Sequence, residues 1–133
     1  MSVDTPPTVI DRFLAGIEAG AISQDVFSDE AALDATVPNW RFCVHGGDAV
    51  RDQLAQWYAD PGRFQSLRRT ALGTGELVEF TLTWTEKGIE HTCHQVHILA
   101  TTDDRISTDT VFCGGRWPAE LVNEMNSAQQ VAS

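Results

Sequence analysis

The chain is short of positive charge. Nine lysines and arginines stand against nineteen acidic residues, a formal net charge of −10 over 133 residues. Such a surface repels phosphate backbones and anionic lipid. The only adjacent basic pair, Arg68-Arg69, lies in an extended segment. Neighbours on a strand point to opposite faces, so the pair forms no two-residue phosphate clamp, and nucleic acid is not an expected partner. Cysteine is scarce as well: Cys43, Cys93 and Cys113 are odd in number, far apart and without CxxC spacing. They read as reduced thiols buried as small hydrophobes. No apolar run approaches the roughly 20 residues that a membrane-spanning helix needs. The opening Met-Ser-Val-Asp-Thr-Pro-Pro has neither the basic nor the apolar region of a secretion signal. A cytoplasmic protein without a membrane partner is expected. The P-loop, the GxGxxG turn, the GxSxG elbow and the HExxH pair are all missing, so no cofactor and no metal is expected.

What is present is an ordinary globular composition, 42% hydrophobic and 21% charged. The length suits one domain over 1–133, with a core at about 8–126 and a frayed C-terminal tail. Thr5-Pro6-Pro7-Thr8 precedes Val9, Ile10, Phe13, Leu14 and Ile17, which is proline at a helix start followed by an apolar stripe. Residues 22–27 read as a short helix, Ser28-Asp29-Glu30 as a turn, and Ala31 to Val37 as a strand closed by Pro38. Trp40 to His45 is a second short strand, broken by Gly46-Gly47. From Asp48 to Tyr58, Val50, Leu54, Trp57 and Tyr58 fall on one helical stripe that stops before Asp60-Pro61-Gly62.

The second half alternates. Phe64 to Leu72, Glu76 to Thr85, Ile89 to Thr101 and Arg105 to Cys113 read as strands joined by short turns, among them Glu86-Lys87-Gly88. Short joints imply antiparallel neighbours. Val78, Phe80, Leu82 and Trp84 share one face, which should meet the helices; Glu79, Thr81, Thr83 and Thr85 share the other, which should be solvated or meet another subunit. Gly114-Gly115 is a strand-to-helix turn, and Pro118 to Met125 is a closing helix. Helices, a hairpin and then long antiparallel strands give an α+β order, a curved antiparallel or mixed sheet wrapped around three to four helices and enclosing a pocket.

In that order several local words resemble the nuclear transport factor 2-like superfamily, with its SnoaL-like and ketosteroid-isomerase-like members. They are Ile10-Asp11-Arg12-Phe13-Leu14-Ala15-Gly16-Ile17-Glu18-Ala19-Gly20, Val26-Phe27-Ser28-Asp29-Glu30-Ala31, Gly47-Asp48-Ala49-Val50-Arg51, Asp104-Arg105-Ile106 and Val111-Phe112. The resemblance covers about residues 8–126 and implies a cone-shaped fold with an internal pocket. It also implies a catalytic acid or base on the central strand. His94 falls where isomerases and epoxide hydrolases carry an aspartate, and Phe13 where isomerases carry a hydrogen-bonding tyrosine. The isomerase general base would land on Ala35, beside Asp34, and the second epoxide-hydrolase aspartate near Cys113-Gly114. Neither catalytic set is complete.

His91, His94 and His97 would converge on a metal only on a helix, and Thr92, Val96, Ile98 and Thr101 make the segment a strand. There His91 and His97 lie about 20 Å apart, too far for one metal. If Thr92, His94, Val96 and Ile98 share a face, the aliphatic pair assigns it to the interior. His94 is then either an acid or base, oriented by Asp109 or Asp34, or a satisfied core histidine. Tyr58 and Trp40 are candidate donors to a ligand oxygen, and Phe13, Trp57, Phe80, Trp84 and Phe112 candidate pocket wall.

Two functions are compatible with this. One is cofactor-free acid–base catalysis (isomerisation, cyclisation, hydration or epoxide opening) on an apolar, oxygenated substrate. The other is a non-catalytic dimer, joined through the sheet face, that binds an apolar ligand or a partner.

Overall fold

The computed structural model describes residues 6–132. Helix α1 covers Val9–Ala19 and starts on a reciprocal cap: the Asp11 amide donates to Thr8 Oγ1 at 3.2 Å and the Thr8 amide to Asp11 Oδ2 at 2.8 Å. It stops at Gly20, whose left-handed φ of 70° suits glycine. Strands β1 (Phe27–Val37) and β2 (Trp40–His45) form a hairpin, and helix α2 (Gly47–Trp57) follows. Four strands come next, β3 (Gly62–Leu72), β4 (Gly75–Glu86), β5 (Ile89–Thr102) and β6 (Arg105–Cys113), then a two-residue strand β7 (Trp117–Pro118) and helix α3 (Ala119–Ala132).

Among the described residues these seven strands form one mixed sheet ordered β2-β1-β6-β5-β4-β3, with β7 on the end of β5. Only β1 and β6 run parallel; every other pair is antiparallel. α1 and α2 bury Val9, Ile10, Phe13, Leu14, Ile17, Val50 and Leu54 in the same core as Val78, Phe80 and Leu82 of β4. Burying one such side chain is worth about 1.5–3 kcal/mol, which fixes the helices on this face. Arg69 adds a tie across it, pairing with Glu76 at 2.7 Å and with Asp11 of α1 at 2.6 Å. Its neighbour Arg68 points the other way, to Glu79 on the outer face.

The β4–β5 turn sets the register of the central hairpin. Lys87 and Gly88 both have positive φ, 52° and 79°, the backbone of a two-residue hairpin turn. Glu86 therefore faces Ile89, and the pairing runs back through Leu82↔Cys93, Phe80↔Gln95 and Val78↔His97. Since Val78, Phe80 and Leu82 face the core, so do His97, Gln95 and Cys93.

Several expectations are corrected. Residues 22–27 form no helix: β1 begins at Phe27, and Ser28-Asp29-Glu30 belong to that strand where its pairing with β6 slips between Phe27 and Ala32. The first turn of α2 sits on this irregularity, so closely that a Cβ on Gly47 would lie 2.4 Å from the Ser28 carbonyl oxygen. The closing helix runs past Met125 to Ala132, in keeping with the alanine and glutamine content of that segment. Gly114-Gly115 leads to β7 and only then to α3. Cys43 is exposed, because on the edge strand β2 it shares the outer face with its partner Asp34.

Candidate functional site

A cavity of about 310 Å³ opens where the parallel strands β1 and β6 both end, beside the last turn of α2. That is the lower end of the ligand-pocket range. Val37, Pro38, Trp57, Leu82 and Trp84 make it apolar. Its polar groups are Tyr58, Gln95, the thiols of Cys93 and Cys113, and Arg116.

Tyr58 caps the C-terminus of α2, two turns after Val50, and this puts its ring on the buried side. Its hydroxyl has two partners in reach, the acceptor Gln95 Oε1 and, at 2.9 Å, His97 Nε2. Behind it His97 Nδ1 lies 2.9 and 2.8 Å from the two carboxylate oxygens of Asp109. Phe80 stacks on the imidazole at 5.6 Å between centroids, and Phe13 meets it edge-on at 5.5 Å. Asp109, His97 and Tyr58 thus form a continuous polar chain through an apolar core, and Tyr58 and Gln95 are its ends in the cavity wall.

Two proton arrangements satisfy this chain. In one, a doubly protonated imidazole donates to Asp109 and to Tyr58 Oη, and the phenol donates to Gln95. In the other, a neutral imidazole donates to Asp109 and accepts the phenolic hydrogen. They differ by a single proton on His97 Nε2. Burial pushes the Tyr58 phenol well above its ordinary pKa of 10, helped by Cys93, Asp109 and Cys113, while the Gln95 bond works against the rise. Burial also pushes the Cys93 thiol up to about 12. Both groups enter the cavity protonated.

The structure places His94 on the outer face, with Nδ1 2.9 Å from Thr81 Oγ1 and Nε2 3.2 Å from Glu79 Oε2. It is not an interior residue, because the register set at Lys87-Gly88 turns Thr92, His94, Val96 and Ile98 outward. Asp109 is buried but bonded to His97 instead of His94. Asp34 is also on the outer face, held by Arg41 through two bonds of 2.9 and 2.6 Å that keep its carboxyl below the ordinary range. Trp40, 70% exposed at the β1–β2 turn, and Phe112, 47% exposed, point outward and away from the cavity. Phe13 and Phe80 belong to the core around His97. Tyr58, Trp57 and Trp84 do line the cavity. His97, Gln95, Cys93 and Arg116 were not singled out as lining or chain residues by sequence, and the hairpin register is the signal that finds the first three. Among the described residues no group of three or more metal-binding side chains is assembled. No helix among them is long and apolar enough to cross a membrane.

No family model matches the sequence, and no curated protein matches it. Solved structures do resemble it. An NTF2-like protein from Anabaena variabilis superposes with a TM-score of 0.69 at 14% identity, covering 86% of this chain and 95% of that one. An LEH-like epoxide hydrolase from M. tuberculosis gives 0.61 at 15% identity, with 81% and 85% covered. A protein of ketosteroid isomerase-like fold from Catenulispora acidiphila, in complex with trimethylamine, gives 0.61 at 14%, with 83% and 88% covered.

This chain has the NTF2-like fold. Identities this low carry no activity across. Within the NTF2-like cone, the cavity lies at the ends of β1 and β6, and the polar groups it presents are Tyr58, Gln95, Cys93, Cys113 and Arg116.

Proposed function

We propose that this protein binds a small, apolar, oxygen-bearing molecule in the cavity and performs cofactor-free acid–base chemistry on it, with Tyr58 as the group that meets the substrate. The observation that carries this reading is the Asp109–His97–Tyr58 chain, which ends at the cavity wall and is otherwise enclosed in the core. A neutral phenol in a low-dielectric wall is a hydrogen-bond donor to a carbonyl, epoxide or hydroxyl oxygen. When the imidazole holds two protons, Nε2 passes one to Tyr58 Oη as the phenol gives its own to the substrate oxygen. The reverse transfer returns it. Asp109 keeps Nδ1 protonated throughout and stabilises the imidazolium.

The test is turnover of a panel of ketosteroid, epoxide and polyketide-like substrates by the wild type and by Tyr58→Phe, His97→Gln and His94→Ala. The first two substitutions should each lower kcat by on the order of 10²–10⁴, whereas His94→Ala should leave it unchanged. Equal activity of Tyr58→Phe removes the proposal.

A second reading is a non-catalytic ligand carrier. It is favoured by one observation: His97 and Asp109 are fully enclosed and mutually satisfied, which a purely structural pair also is. Ligand binding without turnover across the panel would select it. In either case we infer that two copies pair through the outer sheet face, where Phe112 stands beside Val96 and the flanking charges, Arg41 with Asp34 and Arg68 with Glu79, come in opposite-signed pairs that suit a self-complementary contact.

A further inference from the structure

The cavity carries one feature that acid–base chemistry does not use. Arg116 is the one cationic side chain in its wall among the described residues. It stands at the mouth, with its side chain 46% exposed, whereas Tyr58 at the inner end is 3% exposed. Its guanidinium lies 5.0 Å from the centroid of the Trp84 ring, and Glu86 pairs with its Nη2. Trp84 Nε1 donates to the same Glu86 carboxylate at 3.0 Å. Glu86 thus has a second donor of its own, and Arg116 Nε and Nη1 carry no protein partner among the described residues.

We propose that Arg116 makes this cavity selective for apolar carboxylic acids. The ligand's carboxylate docks on the free donors of Arg116 at the mouth, and its apolar body lies against Trp57 and Trp84. A planar guanidinium held on an aromatic face presents its remaining N–H groups in a fixed fork that matches a carboxylate. The indole bond keeps Glu86 anchored when Arg116 turns part of its hydrogen bonding to the ligand. The charge of −10 makes the preference diagnostic, because the field of the whole protein disfavours anions. A neutral ligand of equal size binds better unless a local cation reverses the order. The inference rests on the cavity being a ligand site.

The test uses octanoate and octanol at neutral pH, followed by the change in total tryptophan fluorescence, to which Trp57 and Trp84 contribute from the cavity wall and Trp40 and Trp117 a background. Octanoate should bind at least about tenfold more tightly than octanol. Arg116→Gln should remove that preference while octanol binding stays the same, Arg116→Lys should keep part of it, and Glu86→Gln should tighten octanoate. Octanol binding as tightly as octanoate, or a preference that survives Arg116→Gln, overturns the inference and leaves the ligand-site reading standing. Binding of neither probe overturns both.

Discussion

Asp109 holds His97 Nδ1 with both carboxylate oxygens, at 2.9 and 2.8 Å, and neither side chain is exposed to solvent. Removing one member strands the other in the core, which costs about 3–5 kcal/mol for a buried pair. Asp109→Ala should therefore lower the urea midpoint steeply. His94→Ala, on the outer face with Thr81 and Glu79, should stay within about 0.5 kcal/mol of wild type. Comparable losses in both variants would contradict the assignment of the inner face.

Tyr58 is the only tyrosine in the chain, so tyrosinate absorbance reports on it alone. Its folded pKa lies above the unfolded value of about 10, so the neutral phenol is the form that the folded state favours. The stability it contributes is complete below that unfolded value and declines as pH rises beyond it, because the unfolded chain then loses the proton and the folded chain keeps it. An alkaline titration should show no tyrosinate at pH values that half-ionise an exposed phenol. Absorbance should appear only together with loss of the near-ultraviolet dichroism. A simple titration near 10 in the folded protein would count against the buried chain.

The three thiols should separate kinetically. Cys43 is exposed, Cys113 half-buried, and Cys93 buried with its pKa raised to about 12. The thiolate is the reactive form. Ellman's reagent at mildly alkaline pH should label Cys43 first and Cys93 last, and all three at one rate in denaturant. Octanoate in the cavity should slow Cys113 and leave Cys43 unchanged.

Phe112 and Val96 are opposed on the outer face. Phe112→Glu places a charge in the proposed contact between copies and should convert a dimer to a monomer with the same far-ultraviolet dichroism. Sedimentation velocity decides it. A wild type that is monomeric at micromolar concentration defeats the dimer proposal without touching the cavity.

The architecture was legible because its signals are local. Alternation through Val78, Phe80, Leu82 and Trp84 marks an inner face, and the turn residues between strands give the antiparallel order. The site was less legible, for one reason. Val96 and Ile98 are aliphatic yet face outward, half-buried among the outer side chains of the sheet, so the rule that aliphatic residues mark the interior assigns an outward-facing histidine of β5, His94, to the core. Counting back from Lys87-Gly88 finds the inward-facing one, since a two-residue turn places His97 opposite Val78. Arg116 lay beyond sequence reasoning altogether, because its partners Trp84 and Glu86 meet it only through the return of the chain at β7.

The single parallel pair in the sheet bears on how the protein reaches this arrangement. β4, β5 and β6 follow one another through short turns, so Asp109 and His97 can meet as soon as that meander forms. β1 joins β6 from the far side of the sequence, and α2, which carries Tyr58, comes before the meander in the chain. Closing that long loop is the entropically slow step. The β1–β6 pair is therefore expected to close late in folding: the Asp109–His97 half of the polar chain is assembled early on the hairpins, and the long loop shuts over it afterwards.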